Sequence, residues 1–278
     1  MSLLQILGLA LVQGFAELLP VSSSAHVILA EKLMGLDPTA PDMTLLLVML
    51  HTGTMFAVIV YFWRSWRSTY FQSAEAFRSH GLLIVVATAV TGAVGFALLK
   101  AIERVFAASS PGFEIEHLFG SSRLIATGLV CAGVLILVSS RKAKTSGDVT
   151  MRSSVAIGAV QGLCLPFRGF SRSGATISTG LLGGVSRRRA EEFSFALAVV
   201  LTPAVIAREG YRFYKAYAAT AHGEGFWVLL GPSALGMVFS FMAGLVALRW
   251  LSGWLEGGRW WYFGIYCLGL AAVVMTLL

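Results

Sequence analysis

Charge, proline and cysteine are all scarce in this chain. Only 13% of its 278 residues are charged, against 56% that are hydrophobic. A soluble domain carries roughly 25% charged residues, so a freely solvated globular domain is excluded. The 3 cysteines, Cys131, Cys164 and Cys267, are odd in number, far apart and set in apolar sequence. That excludes a disulfide framework and a cysteine zinc site, and leaves them as packing residues. The first charged residue is Glu17, so the basic opening of a cleaved signal peptide is missing and the N-terminal segment is expected to stay with the mature protein. The apolar stretches also lack period-two alternation, which argues against a β-barrel.

What the chain does have is apolar runs of about twenty residues, the length of a helix that crosses a bilayer. They fall at 43–62, 81–99, 124–138, 193–207, 226–248 and 260–278. An all-α integral membrane protein with six transmembrane helices is predicted. The net charge of +7 sits largely in short loops between the runs. The partner this implies is the membrane and its lipids, not nucleic acid. Twelve Lys and Arg lie in 64–80, 141–152, 183–192 and 249–259, against seven in 30–42, 100–123 and 208–224. The richer group is predicted to be cytoplasmic, which turns the exit of the N-terminal segment and the C-terminus outward.

Two more polar segments remain, 3–29 and 155–182. Pro20 breaks the first, and Pro166, Gly169 and Gly174 break the second. They resemble each other: "LVQGFAELLP" at 11–20 aligns with "AVQGLCLPFR" at 159–168, an offset of 148 residues. Ser22-Ser23-Ser24 then faces Ser171-Arg172-Ser173 with one residue inserted. Three predicted spans separate the copies, so the second is inverted relative to the first. One membrane domain, 1–278, is expected, with inverted repeats at about 1–140 and 153–278 joined by a basic cytoplasmic loop at 141–152.

If each segment is a re-entrant helix-turn-helix hairpin, its second half-helix presents unpaired N–H groups to the middle of the bilayer. A serine of 22–24 is expected to cap one such end. The other, at 169–173, adds the charge of Arg172. Two opposed helix ends of this kind make an anion site. Ionisable residues at membrane depth face a cavity or a partner. Glu17 is read either as functional or as an ion-pair partner of Arg172 or Arg168. His26, three residues after Ser23, shares a helix face with it. His51 is left open between a lining residue and a hydrogen-bonded core histidine.

"ELLPVSSSAH" at 17–26 and "GFSRSGATIS" at 169–178 resemble the two signature stretches of the bacterial undecaprenyl pyrophosphate phosphatases of the bacitracin-resistance (BacA/UppP) type. The resemblance covers essentially the whole chain. It implies an inverted-repeat bundle with two re-entrant hairpins in the bacterial plasma membrane, with the site facing outward. It implies hydrolysis of undecaprenyl pyrophosphate to the monophosphate used in cell-envelope synthesis, and a divalent cation, Mg or Ca. A homodimer is left open.

Carried onto this chain, the resemblance makes Ser23 the candidate nucleophile and His26 the group that exchanges its proton. Glu17 orients that histidine, acts as a base or holds a metal. Arg172 neutralises charge on the transferring phosphoryl group. Ser22, Ser24, Ser171, Ser173, Gly174, Thr176, Arg168 and Gln13 are expected to bind substrate phosphate. An alternative has Ser23 only binding phosphate while His26 or Glu17 activates water. Members of this family usually carry glutamate where this chain has Gln13 and proline where it has Arg168. These two departures raise the local charge by as much as one divalent cation, which leaves three readings open: Arg168 replaces the cation, Gln13 costs activity, or Arg168 points into the headgroups. The same anion site would also serve a lipid-phosphate transporter.

Overall fold

Lipid offers no partner to a backbone N–H or C=O, so an apolar run at membrane depth closes its hydrogen bonds within a helix. The computed structural model describes residues 1–37, 40–107, 121–142, 146–219 and 226–277. Among them the chain is helical, with no strand beyond one isolated bridge between Gly147 and Val185. The helices are α1 (Leu3–Leu18), α2 (Ser23–Met34), α3 (Pro41–Tyr70), α4 (Ala74–Ala107) and α5 (Ser122–Ser140). They continue as α6 (Met151–Cys164), α7 (Arg172–Leu182), α8 (Arg187–Ala219), α9 (Phe226–Glu256) and α10 (Trp261–Leu277).

Of these, α3, α4, α5, α8 and α9 contain the 5 stretches long and apolar enough to cross a membrane. The sixth predicted run coincides with α10, whose 17 residues extend about 26 Å; its last residue, 278, lies outside the described residues. Several helices overrun the predicted spans. Most of 64–80, expected as a loop, is helix, and α9 continues through Arg249 to Glu256. Hydropathy marks the lipid-embedded part, whereas helical hydrogen bonding carries on into polar sequence. Parts of the loops counted for orientation, at 108–120, 143–145 and 220–224, lie outside the described residues.

Both predicted interruptions occur, between Leu18 and Ser23 and between Cys164 and Arg172. Gly174, expected as a breaker, instead lies inside α7. A helical glycine costs only about 1 kcal/mol, and here its N–H donates to Ser171 Oγ while it packs on Pro20 and Ile136. Of the cysteines, Cys267 is buried and donates to Pro20 O, but Cys131 is exposed on α5 and does not pack inside the bundle.

Two close approaches place the broken segments. A Cβ on Gly14 of α1 would lie 2.5 Å from Ala243 Cβ and 2.9 Å from Ser240 O, so α1 presses against α9. A Cβ on Gly162 of α6 would lie 2.8 Å from Val94 Cβ and 2.9 Å from Thr91 O, so α6 presses equally against α4. The α6–α7 connection is seated on α5. Gly169 has φ +97, a conformation that disfavours any side chain, and sits against Ile125 O. One turn along, Gly128 leaves no room for a Cβ beside Phe170 N at 2.6 Å.

Candidate active site

The two interruptions meet at a cavity of about 370 Å³ lined by Glu17, Ser22, Ser23, Ser24, Gln161, Arg168 and Ser171 through Ser173, with His51 and the α8 residues Leu201, Thr202, Val205 and Arg208. Two helix N-termini, those of α2 and α7, open onto it. Helix N-termini present unpaired N–H groups and positive dipole ends to whatever occupies the space between them.

Glu17, in the last turn of α1, is the hub. Ser23 Oγ donates to its Oε2 at 2.7 Å, and Gln13 Nε2 donates to the same oxygen at 3.3 Å. Arg172 Nη2 reaches Oε1 at 3.5 Å, and His51 Nε2 lies 3.8 Å from Oε2. His51 Nδ1 donates to Leu47 O at 2.8 Å, which turns Nε2 toward the cavity. His51 therefore lines the site and is also hydrogen-bonded to its own helix.

The other predicted residues divide into those the cavity reaches and those behind it. Ser22, Ser24, Ser171, Ser173, Arg168 and Arg172 line it. Ser22 occupies the N-cap position of α2 with φ 67 and makes no side-chain cap bond, contrary to the expected serine cap. At α7 the expected cap is made, by Ser171 Oγ accepting from Gly174 N at 3.3 Å. Gln13 is 1% exposed and touches Glu17, not the cavity. Thr176 is also turned away: its Oγ1 donates to Arg172 O at 2.7 Å and pairs with Ser194 Oγ at 2.6 Å. Gly174 is buried in the same helix. These three stand behind the wall and shape it.

His26 departs from expectation in its partners. Its Nδ1 donates to Ser22 O at 2.8 Å, and Nε2 meets the Tyr266 hydroxyl at 2.7 Å, while the Ser23 hydroxyl is turned to Glu17. Spacing along α2 places residues 23 and 26 near one face, but α1 brings a carboxylate that takes the Ser23 hydroxyl's hydrogen bond. Three residues of the site were not anticipated. Gln161 aligns with Gln13 in the second copy, a signal present in the repeat itself; Tyr266 comes from the last helix with no local signal; Arg208 was counted as a loop charge.

Arg172 carries an unfilled bonding capacity. Among the described residues its Nη1 is buried without a hydrogen-bond partner, and Gln161 Oε1 on the same cavity is likewise unpaired. A buried guanidinium N–H left unpaired is costly unless an acceptor joins it.

Comparison with known proteins gives a consistent result. The family profile described as Bacitracin resistance protein BacA matches residues 6–273. The chain is 61% identical to undecaprenyl-diphosphatase 2 of Acinetobacter baylyi over 280 residues, covering 100% of this chain and 98% of that protein. It is 31% identical to an undecaprenyl-diphosphatase of Korarchaeum cryptofilum over the full length of both. The Thermus thermophilus undecaprenyl-diphosphatase is 34% identical, covering 97% of this chain and 95% of its own.

Proposed function

This chain belongs to the bacitracin resistance protein BacA family, and on that premise we propose that it is a multi-pass membrane enzyme hydrolysing undecaprenyl pyrophosphate to undecaprenyl phosphate and inorganic phosphate. The observation that carries the site assignment is the unpaired Arg172 Nη1 beside a serine hydroxyl already bonded to a carboxylate. An anion in the cavity answers the first, and the second is a nucleophile with its base in place.

Ser23 Oγ attacks the terminal phosphorus and its proton passes to Glu17. The bond from that phosphorus to the bridging oxygen breaks, and the lipid monophosphate leaves with the oxygen. Water then attacks the phosphoserine and releases inorganic phosphate, while Glu17 returns its proton to Ser23 Oγ. Arg172 and the N-termini of α2 and α7 stabilise charge on the transferring group. His26 holds Ser22 O and thereby the start of α2. Gln13 holds Glu17.

The family resemblance brings a divalent cation with it, and the donor set here does not fit one. A hard cation wants several oxygen ligands, carboxylates above all. Among the described residues Glu17 is the single carboxylate lining the cavity, and Ser23, Gln13 and Arg172 already engage its oxygens. No three His, Cys, Asp or Glu side chains come together among those residues. No step above uses a cation.

We read α1–α2 and α6–α7 as re-entrant hairpins of an inverted repeat, 1–140 and 153–278, in the bacterial plasma membrane with the cavity open to the outside. Support comes from Gly14 on α9 and Gly162 on α4, matched close approaches at the offset of 148 residues. The distribution of Lys and Arg supports the orientation. The test is inorganic phosphate release from undecaprenyl pyrophosphate by the purified protein in detergent. Release that disappears in Ser23→Ala supports the reading. No release under any ionic condition, together with movement of lipid phosphate across vesicles, would replace it by lipid transport.

A further inference from the structure

Each copy of the repeat buries a glutamine, and the two side chains are used differently. Gln13 and Gln161 align at the offset of 148 residues, and neither is more than 1% exposed. Gln13 Nε2 donates to the Glu17 carboxylate at 3.3 Å. Gln161 Nε2 donates instead to Thr91 Oγ1 of α4, at 3.1 Å. That contact fixes which way round the amide sits. The Thr91 hydroxyl directs its one hydrogen at Ala87 O, 2.7 Å away, or Gly158 O, 3.0 Å away, so toward Gln161 it can only accept. The carbonyl Oε1 is thereby left buried and without a hydrogen-bond partner among the described residues, on a side chain that lines the cavity. Two unmet needs of opposite kind result. Arg172 Nη1 is a donor that a phosphate oxygen satisfies, whereas Gln161 Oε1 is an acceptor that an ionised phosphate oxygen repels.

We propose that Gln161 Oε1 holds the water that hydrolyses the phosphoserine, so that the two glutamines of the repeat serve the two halves of the reaction. Gln13 steadies the base of the first step, and Gln161 presents the water of the second. The proposal rests on the serine-nucleophile reading above. Undecaprenyl pyrophosphate has no hydroxyl outside its phosphates, so a donor for this carbonyl comes from water or from a protonated phosphate oxygen. The cavity of about 370 Å³ has room for water beside a phosphoryl group, since one water needs roughly 15 Å³. A carbonyl that accepts one hydrogen of that water leaves a lone pair of its oxygen free to meet phosphorus. Gln161 and Ser23 come from different broken segments, α6 and α2, so water and serine can take different sides of the phosphorus, as in-line displacement requires. In this step the bond from water oxygen to phosphorus forms and the bond from phosphorus to Ser23 Oγ breaks. Glu17 returns its proton to Oγ, both water hydrogens leave on dihydrogen phosphate, and the amide of Gln161 takes no proton.

The experiment uses the full-length protein in detergent and undecaprenyl pyrophosphate labelled in its terminal phosphate. Phosphate release gives KM and kcat, and acid quenching during turnover counts the label held on Ser23. Gln161→Met keeps the volume and removes the acceptor. It should lower kcat by about 10², leave KM within about three-fold and raise the phosphoserine level toward about one label per enzyme molecule. Thr91→Val, at a residue outside the cavity lining, frees the amide and should lower kcat by about ten-fold with the same rise in phosphoserine. It is the variant to read if Gln161→Met melts early in detergent. Gln161→Glu should recover activity as pH falls, because only the protonated acid donates to Thr91 and still keeps a carbonyl for the water. A kcat within about two-fold of wild type in both Gln161→Met and Thr91→Val would overturn the proposal, as would a fall in kcat with no more phosphoserine than in wild type. A raised KM with kcat unchanged would overturn it too, and would assign Gln161 to a protonated phosphate oxygen of the substrate. Each of these leaves the phosphatase reading standing, whereas release that survives Ser23→Ala, or no release from wild type, would defeat that reading itself.

Discussion

Ser23 Oγ donates to Glu17 Oε2 at 2.7 Å, across the break between α1 and α2. The two residues are six apart in sequence, and the kink between their helices turns them to face each other. A serine hydroxyl is a poor nucleophile until a base takes its proton, and general-base assistance contributes typically 10² to 10⁴ in rate. Glu17→Gln keeps the shape and removes the base, so kcat should fall by about 10³. Ser23→Ala should fall at least as far while still binding undecaprenyl phosphate. Phosphate release by Ser23→Ala within about ten-fold of wild type would mean that water attacks directly.

His26 is held at both ring nitrogens, by Ser22 O and by Tyr266 OH. In the mechanism proposed above a histidine so engaged positions the start of α2, and the Ser23 proton goes to Glu17. Tyr266→Phe and His26→Gln should therefore lower kcat by about ten-fold, well short of Glu17→Gln. Their pH–rate profiles should keep the wild-type shape. A limb of the profile that disappears in His26→Gln alone would restore the histidine to proton transfer.

The fold was legible where physics leaves little choice. Apolar runs at 43–62 and 193–207 lie inside α3 and α8 because a lipid-embedded backbone must be helical. The breaks announced themselves through Pro20, Pro166 and Gly169, while Gly174 misled because capping and packing hold it in a helix. In the site, Glu17 and Ser23 belong to one short motif, and Arg172 meets Glu17 where the two broken segments converge. Sequence spacing along α2 pointed Ser23 at His26, and only the neighbouring helix reveals the carboxylate that its hydroxyl bonds. Tyr266, 240 residues from His26, and Arg208, on a face of α8 that looked like the start of a loop, carry no local signal of their roles.

The α6–α7 connection depends on backbone contact with α5. At Gly169, φ +97 and the adjacent Ile125 O leave no place for a methyl group. A left-handed conformation costs a non-glycine residue roughly 1–2 kcal/mol, and overpacking adds about 1–3 kcal/mol. Gly169→Ala should lower the melting temperature measured in detergent and displace Arg168 and Ser171, with kcat/KM falling by about 10² or more, in line with the sensitivity of catalysis to small misplacements. Gly231→Ala, on α9 with open space around it, is the control that should lower neither. Equal melting temperatures for the two variants would show that the connection does not rest on α5 in this way.

Gln13 decides how the Glu17 carboxylate is shared. Its Nε2 donates to Glu17 Oε2 at 3.3 Å, an interaction that an ionised glutamate at the same position cannot make. Gln13→Glu would instead set two carboxylates side by side, and such a pair either takes up a proton or recruits a cation. Two carboxylates with the adjoining serine hydroxyls supply the oxygen donors that a single engaged carboxylate lacks. The variant should lose activity in EDTA by about ten-fold or more and regain it with Mg. Calorimetry should detect Mg binding to Gln13→Glu and none to wild type at the same concentration. If wild type binds Mg as tightly as Gln13→Glu does, the single engaged carboxylate of the wild-type cavity is enough to hold a cation and the donor-set argument is wrong.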